Sequence, residues 1–111
     1  MLKFEITPKK LHNFITYIKK EKKFRAMAVT MPYKKKIIKY LNNLDDFAQK
    51  AKSVNLVVKK NNVLTGYNTD VFGALGTLKV FIAKYDKIII IGLGGTGQAV
   101  FNYLINKYKK N

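Results

Sequence analysis

Val54-Asn55-Leu56-Val57-Val58-Lys59-Lys60-Asn61-Asn62-Val63-Leu64-Thr65-Gly66-Tyr67-Asn68-Thr69-Asp70 is the stretch from which the fold can be read. Two strand-like runs, 54 to 58 and 63 to 67, are joined at Lys60-Asn61-Asn62, which signals a hairpin. Asn68-Thr69-Asp70 then caps a helix whose Val71, Ala74, Leu75, Leu78 and Ile82 recur on one face. Gly73 and Gly76 inside that helix cost about 1 kcal/mol each relative to alanine, so close approach of a neighbouring backbone is the expected reason for them.

Working outward toward the N-terminus, Leu2, Phe4 and Ile6 alternate with polar neighbours as a half-buried strand does, and Thr7-Pro8 supplies a helix start. Leu11, Phe14, Ile15 and Ile18 fall at helical spacing, and the Lys19 to Lys23 run places cations at the negative end of the dipole. Phe24 to Thr30 reads as a second strand, stopped by Pro32, which is placed to start a helix through Ile37, Ile38 and Leu41. Asn43 is expected to cap a third helix, with Asp45 and Asp46 in its first turn and Phe47, Ala48 and Ala51 turned inward. Toward the C-terminus, Lys87-Ile88-Ile89-Ile90-Ile91 carries the unbroken β-branched run of a strand buried on both faces of a parallel sheet. A glycine-rich turn and a helix through Val100, Tyr103 and Leu104 close the chain. Because half-buried strands precede the fourth helix and a fully buried one follows it, the domain boundary is expected there, at about residues 70 to 85.

Composition narrows the function. The 111 residues, 48% of them hydrophobic, are material for one domain burying about two-thirds of the surface of its unfolded chain. The absence of cysteine excludes disulfides, thiolate metal sites and a thiol nucleophile. His12 is the single histidine, which excludes multi-histidine zinc sites and counts against a Ser-His-Asp triad; beside Lys9 and Lys10 it reads as a surface residue, and no metal is expected. No apolar run is long enough to cross a bilayer and Met1 to Glu5 lacks a signal-peptide core, so a soluble cytoplasmic protein is expected, with no membrane partner. The net charge of +16 comes from 22 Lys plus Arg against six acidic residues. It attracts anions of every kind. Yet Arg25 is the lone arginine and the lysines are scattered over every segment, so the charge reads as solvated faces that help draw in an anionic ligand, without a specific nucleic-acid partner.

Three motifs carry the chemistry. Gly92-Leu93-Gly94-Gly95-Thr96-Gly97 has the G-x-G-x-x-G form, directly after a predicted strand and at a helix start. There Gly92 allows the turn, Gly94 lets the backbone approach a pyrophosphate, and Gly97 permits close packing. A ligand-free glycine turn is the alternative reading. The residue that chooses between NAD and NADP is expected about 20 residues further on, beyond Asn111. Lys34 by itself is the first of Lys34-Lys35-Lys36 on a solvated helix face, and Asp70 by itself complements a helix dipole.

Taken together, the motifs resemble those of the shikimate dehydrogenase family, whose substrate domain carries N-V-T-x-P-[FYH]-K, then A-V-N-T, then G-Y-N-T-D-G before the cofactor domain. The matching stretches are Ala28-Val29-Thr30-Met31-Pro32-Tyr33-Lys34, Ser53-Val54-Asn55-Leu56, Gly66-Tyr67-Asn68-Thr69-Asp70-Val71 and Ile91 to Gly97. The resemblance covers essentially the whole chain. It implies an α/β fold, a mixed sheet with flanking helices followed by an incomplete Rossmann βα unit, divided into a substrate-binding domain at 1–84 and the start of an NAD(P)-binding domain at 85–111.

The resemblance also implies NADP-dependent reduction of 3-dehydroshikimate to shikimate, in the biosynthesis of aromatic amino acids. Lys34 and Asp70 match the family's catalytic pair, and with Thr30 and Asn55 they match its substrate-binding residues. Gly92, Gly94, Gly95, Thr96 and Gly97 match the cofactor turn. NADP is the implied cofactor, with NAD left open. The chain departs from the family pattern at Ala28, Lys52, Leu56 and Val71, where the usual residues are asparagine, glycine, threonine and glycine. Neither the family's first strand with its Ser-x-Ser-Pro segment nor its full Rossmann domain is found in this sequence. The expectation is therefore a fragment that keeps the catalytic pair and does not turn over alone. A small-ligand binding module, non-catalytic or dependent on a partner, and a basic nucleic-acid-binding protein are the alternatives; a homodimer or a complementing half is the partner that the resemblance leaves open.

Overall fold

The computed structural model describes residues 2–82 and 87–108. Its centre is the hairpin. Strands β3 (Leu56–Lys60) and β4 (Val63–Tyr67) pair antiparallel, and Asn61 and Asn62 both take positive φ, 50° and 63°, as a tight turn matched to strand twist requires. Strand β1 (Ala26–Ala28) adds antiparallel to β3, and the two-residue β2 (Asn43–Leu44) adds parallel to β4. The order β1-β3-β4-β2 is a mixed four-stranded sheet, the architecture implied by the motifs.

Helix α1 (Leu11–Lys20), entered through a 3₁₀ turn at Pro8–Lys10, buries Leu11, Ile15 and Ile18. These three join Val29, Ile37, Ala48, Val54, Val57 and Leu64 in the larger core. A side chain has no room at Gly66: a Cβ there would lie 2.6 Å from Leu41 Cδ1 and 2.8 Å from Val54 Cγ2. Short α2 (Tyr33–Lys36) is followed by a 3₁₀ turn at Ile38–Tyr40.

A second, smaller core lies between α3 (Asp46–Ala51), α4 (Thr69–Ile82) and α5 (Gly95–Tyr108), built from Ala51, Val71, Leu75, Ala99, Val100, Tyr103 and Leu104. Asn102 and Asn106 of α5 donate from Nδ2 to the carbonyls of Ala51 and Lys50, at 3.1 and 3.0 Å. The Phe47 and Tyr103 rings stack at 5.3 Å. The expected junction at 84/85 lies outside the described residues.

Five expectations are corrected. The helix expected from Pro32 through Ile37, Ile38 and Leu41 ends at Lys36, and the chain tightens into the 3₁₀ turn at Ile38–Tyr40 before Leu41 turns extended. Leu2 to Ile6 is not a strand: Leu2 is 80% exposed and no ladder partner stands beside the segment among the described residues. Alternation supplies an apolar face, here partly used as Phe4 meets Phe14, but not a partner. Lys87 to Ile91 is likewise not a strand, with Ile89 84% and Ile91 95% exposed. The cap of α3 is Asp45, which accepts from Ala48 N at 2.8 Å; Asn43 is occupied in β2. Gly73 and Gly76 face open space, with nothing within 4 Å of a Cβ at either, so close approach does not explain them.

Candidate active site

Lys34 sits in α2, just after the loop that leaves β1 through Val29, Thr30, Met31 and the cis Met31–Pro32 bond. Asp70 sits in the first turn of α4, where the helix dipole favours a carboxylate. Although 36 residues apart in sequence, Lys34 Nζ donates to Asp70 Oδ2 at 2.8 Å. The lysine side chain is 16% and the aspartate 32% exposed, so the pair is sheltered yet reachable.

An ion pair of this exposure is worth at most about 1 kcal/mol, while ordering a lysine side chain opposes it by up to about 2 kcal/mol. Attraction alone therefore does not set the geometry. The backbone does. Val54 N donates to Lys34 O at 2.8 Å, fixing α2 against the residues that lead into β3. Asn55 continues that link: its N–H bonds Tyr67 O at 3.0 Å and its carbonyl accepts from Val29 N at 2.8 Å.

The side chain of Asn55 donates to Thr69 Oγ1 at 2.8 Å and accepts from Thr69 N at 2.9 Å. This places Asn55 one residue from Asp70, but commits one proton and one lone pair of its amide to α4. One N–H and one further acceptor site remain for a ligand. Thr30 is exposed, with its carbonyl accepting from Tyr33 N at 2.9 Å as the turn into α2 closes.

The glycine turn reaches the same corner. Met31 Sδ lies 3.7 Å from where a Cβ of Gly95 would stand, and Lys35 Nζ donates to Gln98 Oε1 at 3.0 Å. Gly92 takes φ of +85°, Gly94 faces open space, and a Cβ on Gly97 would collide with the Gly92 carbonyl oxygen. A sharp turn with a bare backbone at a helix start fits a diphosphate group. No group of three or more His, Cys, Asp or Glu among the described residues could hold a metal ion, and no helix among them is long and apolar enough to cross a membrane.

Sequence reasoning read Asn68 only as a helix cap. It is 1% exposed; its Oδ1 accepts from Val71 N at 2.9 Å, while its Nδ2 donates to Ser53 O at 2.9 Å. The second bond has no local sequence signal, since its acceptor is a backbone carbonyl 15 residues away.

Comparison with known proteins bears on the family and the fold. Residues 1–57 match the family model for the shikimate dehydrogenase substrate binding domain. The shikimate dehydrogenase (NADP(+)) of Methanosphaera stadtmanae is 36% identical over 105 residues, covering 94% of this chain and 37% of that protein. The crystal structure of the Aquifex aeolicus shikimate dehydrogenase superposes with a TM-score of 0.74 at 35% identity, covering 94% of this chain and 40% of that one. The Listeria monocytogenes shikimate 5-dehydrogenase, solved in complex with shikimate and NAD, superposes with a TM-score of 0.69 at 35% identity, over 87% of this chain and 34% of that one. The chain thus spans about a third to two-fifths of the length of the relatives it matches.

Proposed function

Because this chain belongs to the shikimate dehydrogenase family, we propose that Lys34 and Asp70 form the reacting corner of a site for shikimate and its 3-dehydro ketone. The 2.8 Å contact between two side chains delivered by separate elements carries this reading. In the reductive direction the Lys34 ammonium donates to the ketone oxygen and gives it a proton as the carbonyl becomes an alcohol. Asp70 accepts from the ammonium, holding it toward the substrate, and takes up a substrate hydroxyl. Thr30 and the uncommitted N–H of Asn55 bind the other hydroxyls.

When bound, NADPH would supply the hydride in this reading and leave as NADP. The residues that would hold its diphosphate are the backbone amides of Gly94, Gly95, Thr96 and Gly97. The domain division near residue 84 belongs to the same proposal.

The substrate part of this site is expected to work and the cofactor part to be incomplete, since Ile88 to Ile91 has no paired strand among the described residues to seat a dinucleotide. Calorimetric titration with shikimate is expected to show saturable binding that Lys34→Ala and Asp70→Asn each weaken by about tenfold or more, the loss of a hydrogen bond to a charged group. Binding indifferent to both substitutions overturns the reading. Shikimate-dependent NADP reduction by the purified chain alone, at ordinary enzyme rates, overturns its catalytic incompleteness. The exposed isoleucines favour a second reading of the same site, a half-enzyme completed by another chain; turnover restored on mixing is its test.

A further inference from the structure

We propose that Asn68 is the positioning residue of this site, the buried cross-link that sets Asp70 against Lys34. The inference rests on the reading of those two side chains as the reacting pair, and deepens it.

Two segments have to be held in register for the pair to meet. The Lys34 segment is bonded through its own carbonyl to Val54 N. Asp70 rides on the first turn of α4, whose register depends on what anchors that turn. Asn68 supplies the anchor from inside the protein. One end of its amide accepts from Val71 N and so fixes the start of α4; the other donates to Ser53 O, the carbonyl immediately before Val54. Lys34 and Asp70 are thus tied to adjacent residues of one short segment, Ser53 and Val54.

The amide is suited to this and few other side chains are. It must donate at one end and accept at the other, and both ends are satisfied where water does not reach, with Asn68 1% and Ser53 4% exposed. Serine keeps an acceptor for the helix start but is too short to bridge to Ser53. Aspartate keeps the acceptor and the size but turns an oxygen toward the Ser53 carbonyl. The Asn55 to Thr69 bonds lie parallel to this cross-link on its exposed side. They brace it but do not replace it, because they reach solvent.

The test reads the pair directly, without substrate. In protein carrying ¹³C-lysine, the Lys34 ε-methylene resonance is assigned by its loss in Lys34→Arg, and Asp70→Asn gives its unpaired position. Asn68→Ser is expected to move the resonance at least half of the way to that position, and Asn68→Asp likewise. Val57→Ala, which empties part of the larger core without touching this link, is expected to leave it in place. An unmoved resonance in folded Asn68→Ser, or an equal movement in Val57→Ala, overturns the proposal.

Should Asn68→Ser and Asn68→Asp not fold, the unmodified protein decides. In rising urea, the Val71 amide is expected to lose its exchange protection at the concentration where the Lys34 resonance shifts. A pair that separates while Val71 N–H is still protected overturns the assignment. Since shikimate is absent throughout, failure of the cross-link and failure of the substrate reading are told apart.

Discussion

Val54 to Val58 and Ile88 to Ile91 are two short runs of nearly the same chemistry in opposite surroundings. Val57 is fully buried, whereas Ile91 is 95% exposed. The first run has β1 on one side and β4 on the other, with α1 contributing to the core around it. The second has no ladder partner among the described residues, and Ile90 alone of its isoleucines packs against a core. An apolar β-branched run states a demand for burial; becoming a strand also requires a neighbour for each backbone N–H and C=O.

The largest expected effect breaks or confirms that contrast. Leu64, fully buried in β4, should cost about 2–5 kcal/mol of unfolding free energy when cut to alanine. Ile91→Ala should change it by less than about 0.5 kcal/mol. Urea unfolding of both variants measures the difference, and comparable losses would mean that the isoleucine run is packed in solution.

The same contrast explains what could be read from residue order. The hairpin was legible because Asn61-Asn62 sits between two runs that become each other's partners, and the α4 start was legible because Asn68 caps it locally. Lys34 and Asp70 were legible as a pair only through the ordered motifs, since each by itself is an ordinary surface charge. Their contact depends on bonds from Val54 and Asn68 to distant backbone atoms, which have no spacing rule. Leu2 to Ile6 and Lys87 to Ile91 carry strand patterns without forming strands for one reason: period and composition describe a face, while pairing is a property of the rest of the sheet. The cap of α3 moved from Asn43 to Asp45 because pairing with β4 claimed the asparagine first.

A second feature of the well-partnered half is also invisible in sequence. Lys59, near the end of β3, donates from Nζ to the carbonyls of Ile18, Lys19 and Glu21, at 3.0, 2.6 and 3.0 Å. It thereby closes the C-terminus of α1, where a cation also complements the dipole. Lys59→Met keeps the stem and removes the donors, and should cost about 1–2 kcal/mol. Lys60→Met, one residue on and exposed, should fall within about 0.5 kcal/mol of the unmodified protein. Equal effects in thermal unfolding would show that general charge, not this cap, is responsible.

The smallest effects sharpen the comparison, because they ask whether the C-terminal half is as uncovered as it looks. Lys52 ends α3 with φ of 53° and ψ of 40°, a left-handed conformation that glycine adopts without the steric cost a side chain brings. Lys52→Gly should therefore stabilise, by about 0.5–1 kcal/mol. Gly76 is the reverse case: it lies inside α4, facing open space, where alanine is the better helix former by about 1 kcal/mol. If both substitutions raise the melting temperature, local backbone preference decides at each position and the outer face of α4 is bare. If Lys52→Gly stabilises and Gly76→Ala does not, that face is covered in solution.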